Sequence, residues 1–268
     1  MRINTNMSAM IATNQMSKNT ALSGKSMEKL STGLRITKAG DDAAGLAVSE
    51  KMRAQIRGME QADRNVQDGI SLAQTAEGAL EESGNILQRM RELTVQGGSD
   101  TLADEDRTKI AEELTQLGEE LANIATETKF NGITLLDAGV TITIQAGANN
   151  ETRAIDIEDL TTIAGTVAGL TVADQTTALA SQDLIDTAIT DVNTARANLG
   201  AMQNRLEYTS SNLTTSTENL SAAESRIRDV DVAKEMVELS KLNILSQASQ
   251  AMVSQAKQQP EQVTQLLR

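Results

Sequence analysis

The chain has 268 residues and a formal net charge of −13, with no His, Cys or Trp and only one Phe, one Tyr and one Pro. This inventory excludes a Ser-His-Asp triad, a cysteine nucleophile, a Cys/His zinc site and a histidine-ligated haem. Two aromatic rings also supply little wall for a cofactor pocket, and net negative charge disfavours a nucleic-acid partner. We therefore expect a protein that is not an enzyme and needs no cofactor or metal.

No segment approaches the ~20 apolar residues needed to span a bilayer, so we expect no membrane insertion. The stretch from Met1 to Asn6 has no apolar core of the kind found in a secretory signal peptide. We therefore expect no cleaved signal.

The first 34 residues predict an amphipathic helix with a polar centre. Its apolar side chains are Ile3, Met7, Met10, Ile11, Leu22, Met27, Leu30 and Leu34. An isolated helix of this kind is marginal in water, so we expect it to be frayed in a single chain until a partner covers its stripe.

Two further helices follow in the first half of the chain. The first carries an apolar residue every seventh position, at Met52, Met59, Val66, Ala73, Leu80 and Leu87, and should end at Gly97-Gly98. The second has the stripe Ile110, Leu114, Leu117, Leu121 and Ile124. Thr101 and Asp104 signal its start, and acidic residues there suit the helix dipole.

The period then changes from helical spacing to strict alternation. Residues 140–145 and 154–158 alternate apolar and polar, and residues 147–150 between them are typical of a turn. This pattern predicts a β-hairpin. The Thr-, Ala- and Gly-rich segment 161–177 is interpreted as an irregular loop.

The longest repeat lies near the C-terminus. Residues Ile185, Val192, Leu199, Leu206, Leu213, Leu220 and Ile227 recur every seven positions, beside mostly small companions such as Ala188 and Ala195. A last helix follows, with Leu242, Leu245, Met252, Ala256, Val263 and Leu266 on its apolar side. We expect a mainly α fold: a long antiparallel helical bundle with a small β-hairpin region, and terminal helices that form a separate coiled-coil core.

Several segments resemble bacterial flagellins over nearly the whole chain. These segments are Glu28–Ile36 (EKLSTGLRI), Ala39–Val48 (AGDDAAGLAV), Gln88–Leu93 (QRMREL), Thr128–Gly132 (TKFNG), Ser221–Asp229 (SAAESRIRD), Ala251–Ala256 (AMVSQA) and the closing Leu-Leu-Arg. The first two are highly specific to flagellins and their hook-filament junction relatives.

The resemblance implies a short flagellin that polymerises into the extracellular filament used for motility. Its inner core would pair residues 1–44 with 229–268, and residues 45–228 would form a rod of three helices and a β-hairpin at about 130–160. The assembly core would comprise Ile3, Met7, Met10, Ile11, Leu242, Leu245, Met252, Val263 and Leu266.

The resemblance also implies partners. They are the export chaperone, which would bind the C-terminal helix, the flagellar type III export apparatus, and the filament cap and hook-filament junction proteins. Arg89, Leu93 and Glu113 match the positions that contact Toll-like receptor 5 in many flagellins. The alternative for these three is an ordinary role in subunit packing.

Other interpretations stay open at this point. The pair Asp41-Asp42 is either a helix cap or a cation site, and the cap is favoured because first-turn carboxylates stabilise the helix dipole. The chain could be a hook-filament junction protein, since the terminal motifs are shared. Heptads alone also permit a signalling or adaptor coiled coil, and a carboxylate enzyme is the remote third alternative.

Overall fold

A computed structural model describes the backbone of residues 6–266 and the side chains of residues 6–258. Its described residues form six helices and four short strands. In chain order they are α1 (Met7–Thr32), α2 (Ala43–Gly97), α3 (Asp104–Glu127), β1 (Lys129–Phe130), β2 (Ile133–Thr134), β3 (Thr141–Gln145), β4 (Thr152–Asp156), α4 (Leu160–Val167), α5 (Gln175–Arg228) and α6 (Val232–Leu266). Within this described part, no helix is long and apolar enough to cross a membrane. The mainly α fold with a small hairpin region is confirmed.

The chain divides into two compact units. The terminal unit comprises Met1–Ala54 with Asn219–Arg268, and the central unit comprises Gln55–Glu218. The dividing points therefore lie within α2 and α5. The division predicted from the sequence, at 44/45 and 228/229, concerns functional segments and stays a prediction.

In the terminal unit, α1 packs antiparallel against α6. Near the start of α1, the side-chain amide of Asn6 donates to the backbone carbonyl of Ala256 at 2.6 Å. Towards its end, the Ser23 hydroxyl donates to the Asn243 side chain at 3.3 Å. In the described residues, each terminal helix thus covers part of the other. The expectation that both termini are frayed in the single chain stays a prediction.

Small and polar residues line the contact between α1 and α6. Buried and half-buried residues of α1 recur at spacings of three and four, at Ala9, Ala12, Met16, Asn19, Ser23 and Ser26. The matching line on α6 is Glu235, Leu239, Leu242, Ser246, Ser249, Val253 and Ala256. This is heptad geometry in which small residues predominate on α1, whereas α6 also contributes Leu239, Leu242 and Val253.

The turn that follows α1 is tied back to the end of α5. Gly33 takes a left-handed conformation (φ 71°), which a glycine adopts at no steric cost. Leu34 then forms an isolated antiparallel bridge with Asp229, and the Arg35 amide donates to the carbonyl of Arg228 at 2.6 Å. The Arg228 guanidinium, only 12% exposed, also pairs with Glu50 of α2. These contacts hold the connection from α1 to α2 in place.

The two aspartates before α2 have different roles. Asp42 caps the helix, because its Oδ1 accepts a hydrogen bond from the Gly45 amide at 2.8 Å. Asp41 instead closes the preceding turn by accepting from the amides of Thr37 and Lys38. The bond from the Lys38 amide is the largest of the effects that lower the pKa of Asp41. The predicted cap therefore belongs to Asp42 alone.

In the central unit, the predicted helical stripes form the core. The buried side chains on α2 include Met59, Val66, Ala73, Leu80 and Leu87, and those on α5 include Ile185, Val192, Leu199, Leu206 and Leu213. From α3 come Ile110, Leu114, Leu121 and Ala125. The end of α2 at Gly97 is as predicted.

The predicted hairpin is present as β3 and β4. The strands pair antiparallel with Ile142 opposite Ile155 and Thr143 opposite Ala154. Ile144 and Ile155 are buried. The second strand begins two residues earlier than the alternation suggests.

Two local predictions were wrong. The segment expected to be an irregular loop contains α4, whose apolar residues Leu160, Ile163, Ala164 and Val167 are all buried. At the start of α3, the N-cap position is Ala103, which provides no side-chain cap, and the helix begins at Asp104 without help from Thr101. Three acidic residues in its first turn still suit the helix dipole.

Candidate functional site

The bulky apolar side chains of α1 lie on the surface. Met7 is 56% exposed and Ile11 is 64% exposed, and Met10, Leu22 and Met27 are exposed as well. The small residues of the α1–α6 seam face α6 instead. The pairing of the two termini therefore leaves the largest apolar groups of α1 open to solvent.

On α6, too, some large apolar residues are exposed to solvent. Leu245 and Met252 are exposed, whereas Leu242 is only 4% exposed. Of the predicted assembly-core residues with described side chains, Leu242 alone is buried within the subunit. Ile3 lies outside the described residues, and so do the side chains of Val263 and Leu266.

A shared groove joins the exposed residues of the two helices. It has a volume of about 660 Å³, and Ile11 lines it from α1 while Leu245 and Met252 line it from α6. Ala12 and Ala248 add small apolar surface, and Gln15 and Gln255 add amide groups. The antiparallel packing thus brings Ile11 beside Leu245 and Met252, two predicted core residues from the opposite end of the chain.

Sequence reasoning missed further exposed apolar residues on α6. These are Val232, Met236, Val237 and Ile244. The signal was available in the alternation of small seam residues such as Ser246 and Ser249 with larger neighbours. The sequence pattern placed Leu242 and Ala256 on the same apolar side as Leu245 and Met252, because apolar character was taken as the mark of burial.

The predicted receptor residues lie in the central unit. Arg89 of α2 donates from Nε and Nη2 to Glu113 of α3 at 3.1 and 2.9 Å, and Arg89 also pairs with Glu92. These bonds, chiefly those that Glu113 accepts, raise the pKa of Arg89 above its ordinary value. Both ends of the Arg89–Glu113 pair are about half exposed.

Leu93 differs from Arg89 and Glu113. Its side chain is 2% exposed and packs inside the central unit. It therefore presents almost no surface to an outside partner in this subunit.

Two family descriptions match the sequence. Residues 3–141 match the bacterial flagellin N-terminal helical region, and residues 182–267 match the bacterial flagellin C-terminal helical region. Together they cover well over half of the chain.

The chain belongs to the bacterial flagellin family.

Full-length relatives support the same family assignment. A flagellin from Halalkalibacterium halodurans is 55% identical, with the whole of both chains covered. A flagellar filament 33 kDa core protein from Treponema phagedenis is 45% identical, again with complete coverage of both. Among solved structures, the crystal structure of Bacillus cereus flagellin matches with 34% identity and a TM-score of 0.51, covering 60% of this chain and 94% of that one.

This flagellin is thus a structural subunit that self-assembles into the helical extracellular filament of the bacterial flagellum, the organelle of motility, and not an enzyme. Family membership also removes the adaptor coiled coil and the carboxylate enzyme from consideration. The full-length relatives favour the filament subunit over the hook-filament junction protein.

Proposed function

We propose that the exposed apolar side chains of α1 and α6 form the surface through which copies of this flagellin assemble. The proposal covers Met7, Met10, Ile11, Leu245 and Met252, which are exposed in the subunit. Ile3, Val263 and Leu266 join them on the sequence pattern alone. Leu242 has a different role, because it closes the α1–α6 pair within one subunit.

The observation that carries this proposal is the groove shared by Ile11, Leu245 and Met252. Three large apolar side chains from two helices face the same space, and exposure of such a cluster is unfavourable in water. A second copy of the chain can cover it with apolar residues of its own. Methionine suits such a surface because its flexible side chain adapts to different neighbours.

Assembly on this surface produces a filament when each contact joins two different patches. Contacts of that kind repeat without closing and generate a helical polymer. In this proposal, residues 1–44 and 229–268 form the inner core, and residues 45–228 form the rod outside it. Ordering the chain ends costs backbone entropy, about 1–2 kcal/mol per residue, so growth on an existing end is faster than nucleation.

Seeded growth of single chains tests the surface. The double variant Ile11→Ser with Met252→Ser removes two side chains whose burial contributes about 1.5–3 kcal/mol each. We expect the critical concentration for growth on filament fragments to rise by at least about 100-fold. The matched control is Thr20→Ala with Gln250→Ala, which changes exposed polar residues on the same two helices. Equal growth of the two double variants would overturn the proposal.

The exposed face of α6 also fits the export chaperone. Met236, Val237 and Ile244 extend the apolar surface beyond the groove, and an amphipathic helix of this kind binds readily in an apolar groove of a partner. Binding there covers the assembly surface before secretion. Export through the flagellar type III apparatus, with delivery past the junction proteins to the filament cap, completes the proposed route.

A second proposed role is recognition by Toll-like receptor 5. The supporting observation is the half-exposed ion pair of Arg89 and Glu113, which presents a guanidinium and a carboxylate on the surface of the central unit. Direct contact is proposed for these two residues. Leu93 is proposed to act through the position of α2.

A further inference from the structure

The connection between β1 and β2 consists of Asn131 and Gly132. Phe130 pairs opposite Ile133, so these two residues form the whole turn. Both have positive φ angles, 48° for the asparagine and 82° for the glycine, as expected for an Asn-Gly hairpin turn. Both are exposed to solvent. Neither the proposed assembly surface nor the proposed receptor contact gives this turn a role.

The groups that react when an asparagine loses its amide are adjacent in this turn. They are the side-chain amide of Asn131 and the backbone nitrogen of Gly132. Among the described residues, the Gly132 amide has no backbone acceptor. A Cβ placed at Gly132 would meet no atom within 4 Å other than those of its chain neighbours. The asparagine side chain can therefore approach the nitrogen without displacing other parts of the protein.

No other asparagine in the sequence precedes a glycine. A side chain on the following residue hinders approach to its backbone nitrogen, and glycine has none. Asn149 and Asn150, in the turn between β3 and β4, are followed by Asn150 and Glu151. Asn65 and Asn85 lie inside α2, where the next backbone amide donates to a helix carbonyl. The β1–β2 turn therefore offers the most reactive asparagine of the described chain.

We propose that Asn131 is a site of spontaneous deamidation in the folded chain. Asparagine is among the thermolabile residues of proteins. The Gly132 nitrogen gives up its proton to solvent and forms a bond to Cγ of Asn131, and the side-chain nitrogen takes up a proton and leaves as ammonia. Water then opens the resulting five-membered succinimide. Cleavage of the bond from nitrogen to Cγ yields aspartate, whereas cleavage of the bond from nitrogen to the main-chain carbonyl carbon yields isoaspartate.

The two products affect the hairpin differently. Aspartate tolerates the left-handed conformation that Asn131 occupies, so it retains the turn. Isoaspartate adds one backbone atom to a two-residue connection, whose length determines how the strands pair. Beyond the strands, the amide of the fully buried Leu135 donates to the carbonyl of Thr128 at 3.0 Å. Both products add a negative charge, and isoaspartate also loosens the link between the hairpin and the end of α3.

The full-length single chain tests the site, because the reaction requires no filament. Trypsin cleaves after Lys129 and Arg153, so one peptide contains Asn131 with Asn149 and Asn150 as internal references. The folded chain is incubated at mildly alkaline pH, and the peptide is analysed at intervals by mass spectrometry. We expect the Asn131 amide to become a carboxylate at least about tenfold faster than either reference. Isoaspartate is measured with an isoaspartyl methyltransferase and a labelled methyl donor.

The substitution Gly132→Ala tests the role of the glycine. It retains the asparagine but places a methyl group beside the reacting nitrogen, at a position with a positive φ. We expect the rate at Asn131 to fall at least about tenfold. Gly165→Ala is the matched control, because position 165 in α4 is equally open, and it should leave the rate unchanged.

Equal rates at Asn131, Asn149 and Asn150 would overturn the proposal. Reaction at Asn131 that occurs only after unfolding in urea would also overturn it, because the proposal concerns the folded turn. The result is independent of the assembly surface. Single chains with Ile11→Ser and Met252→Ser should deamidate at the unchanged rate, whether or not they grow on filament fragments.

Discussion

Gly58 of α2 lies against Ala148 in the turn of the β3–β4 hairpin. A methyl group at position 58 would stand 2.9 Å from the Ala148 Cβ and 3.2 Å from its Cα. The second distance involves backbone, which a rotamer change cannot relieve. The hairpin therefore packs on α2 at a place where only a hydrogen fits.

This contact predicts opposite effects for two glycine substitutions in one helix. Gly78 also lies on α2, but nothing stands within 4 Å of a Cβ there. Gly78→Ala should stabilise the chain by about 1 kcal/mol through helix propensity. Gly58→Ala should destabilise it by about 1 kcal/mol, since overpacking costs about 1–3 kcal/mol and outweighs the same gain. Urea unfolding followed by circular dichroism measures both, and two stabilising substitutions would refute the close contact.

The pattern of apolar residues was sufficient to predict the long helices and the hairpin. It could not predict where the hairpin packs, because that depends on a glycine whose role appears only when Ala148 approaches it. The helix α4 was missed because threonine, alanine and glycine dominate its composition. Its apolar residues at 160, 163, 164 and 167 do have helical spacing, and Asp159 before them is a favourable cap.

Asp159 provides a prediction of pH dependence. Its carboxylate accepts hydrogen bonds from the amides and hydroxyls of Thr161 and Thr162, and these bonds lower its pKa to about 2. The depressed pKa means that the charged cap stabilises the fold fully above pH ~4, and that this contribution is lost as the pH falls through about 2.

Asp159→Ala should accordingly cost about 1 kcal/mol of unfolding free energy at pH 7, as expected for loss of an N-cap. The difference from the unsubstituted chain should shrink between pH 4 and pH 2. Denaturant unfolding at a series of pH values measures it. A difference that is constant across this range would show that the charge of Asp159 contributes nothing.

The contacts of Arg107 in α3 predict that the fold requires an arginine at this position. Its guanidinium, 11% exposed, donates to the carbonyls of Ser99 and Ala173 at 3.1 Å each and pairs with Asp100. It thereby joins the loop before α3 to the segment that precedes α5.

Lysine retains the charge but lacks the planar fork that reaches two carbonyls. We expect Arg107→Lys to destabilise the chain by about 2 kcal/mol, in line with the loss of one hydrogen bond from a charged donor. Arg64→Lys is the matched control, because Arg64 is exposed and, among the described residues, donates to the Gln61 side chain of its own helix. A cost below about 0.5 kcal/mol for Arg107→Lys would show that the two hydrogen bonds from Arg107 to the carbonyls of Ser99 and Ala173 contribute little to stability.

The substitution Arg89→Ala separates an effect on receptor recognition from an effect on stability. An exposed ion pair contributes at most about 1 kcal/mol, so Arg89→Ala should leave the unfolding free energy almost unchanged. If the proposed receptor contact is correct, signalling in cells that express Toll-like receptor 5 should fall at least tenfold. Arg64→Ala, an exposed arginine elsewhere on α2, should signal normally. Undiminished signalling by Arg89→Ala would limit this residue to subunit packing.

The assembly residues show a different limit of sequence reasoning. The terminal helices and their apolar residues were predicted, but which face pairs within the subunit was not. Bulk usually marks the inward face of a helix. Here Asn19, Ser26 and Ser249 face inward, and Ile11 and Met252 face outward. That inversion supports the proposal that other copies of the subunit cover the larger apolar face.

Accessibility of residue 252 tests this account most directly. The sequence has no cysteine, so Met252→Cys places a single thiol on the exposed face of α6. We predict rapid reaction with a maleimide in the single chain, reaction at least tenfold slower after seeded growth into filaments, and full recovery when the filaments are dissociated. Equal reactivity in single chains and filaments would contradict the claim that this face is buried by assembly.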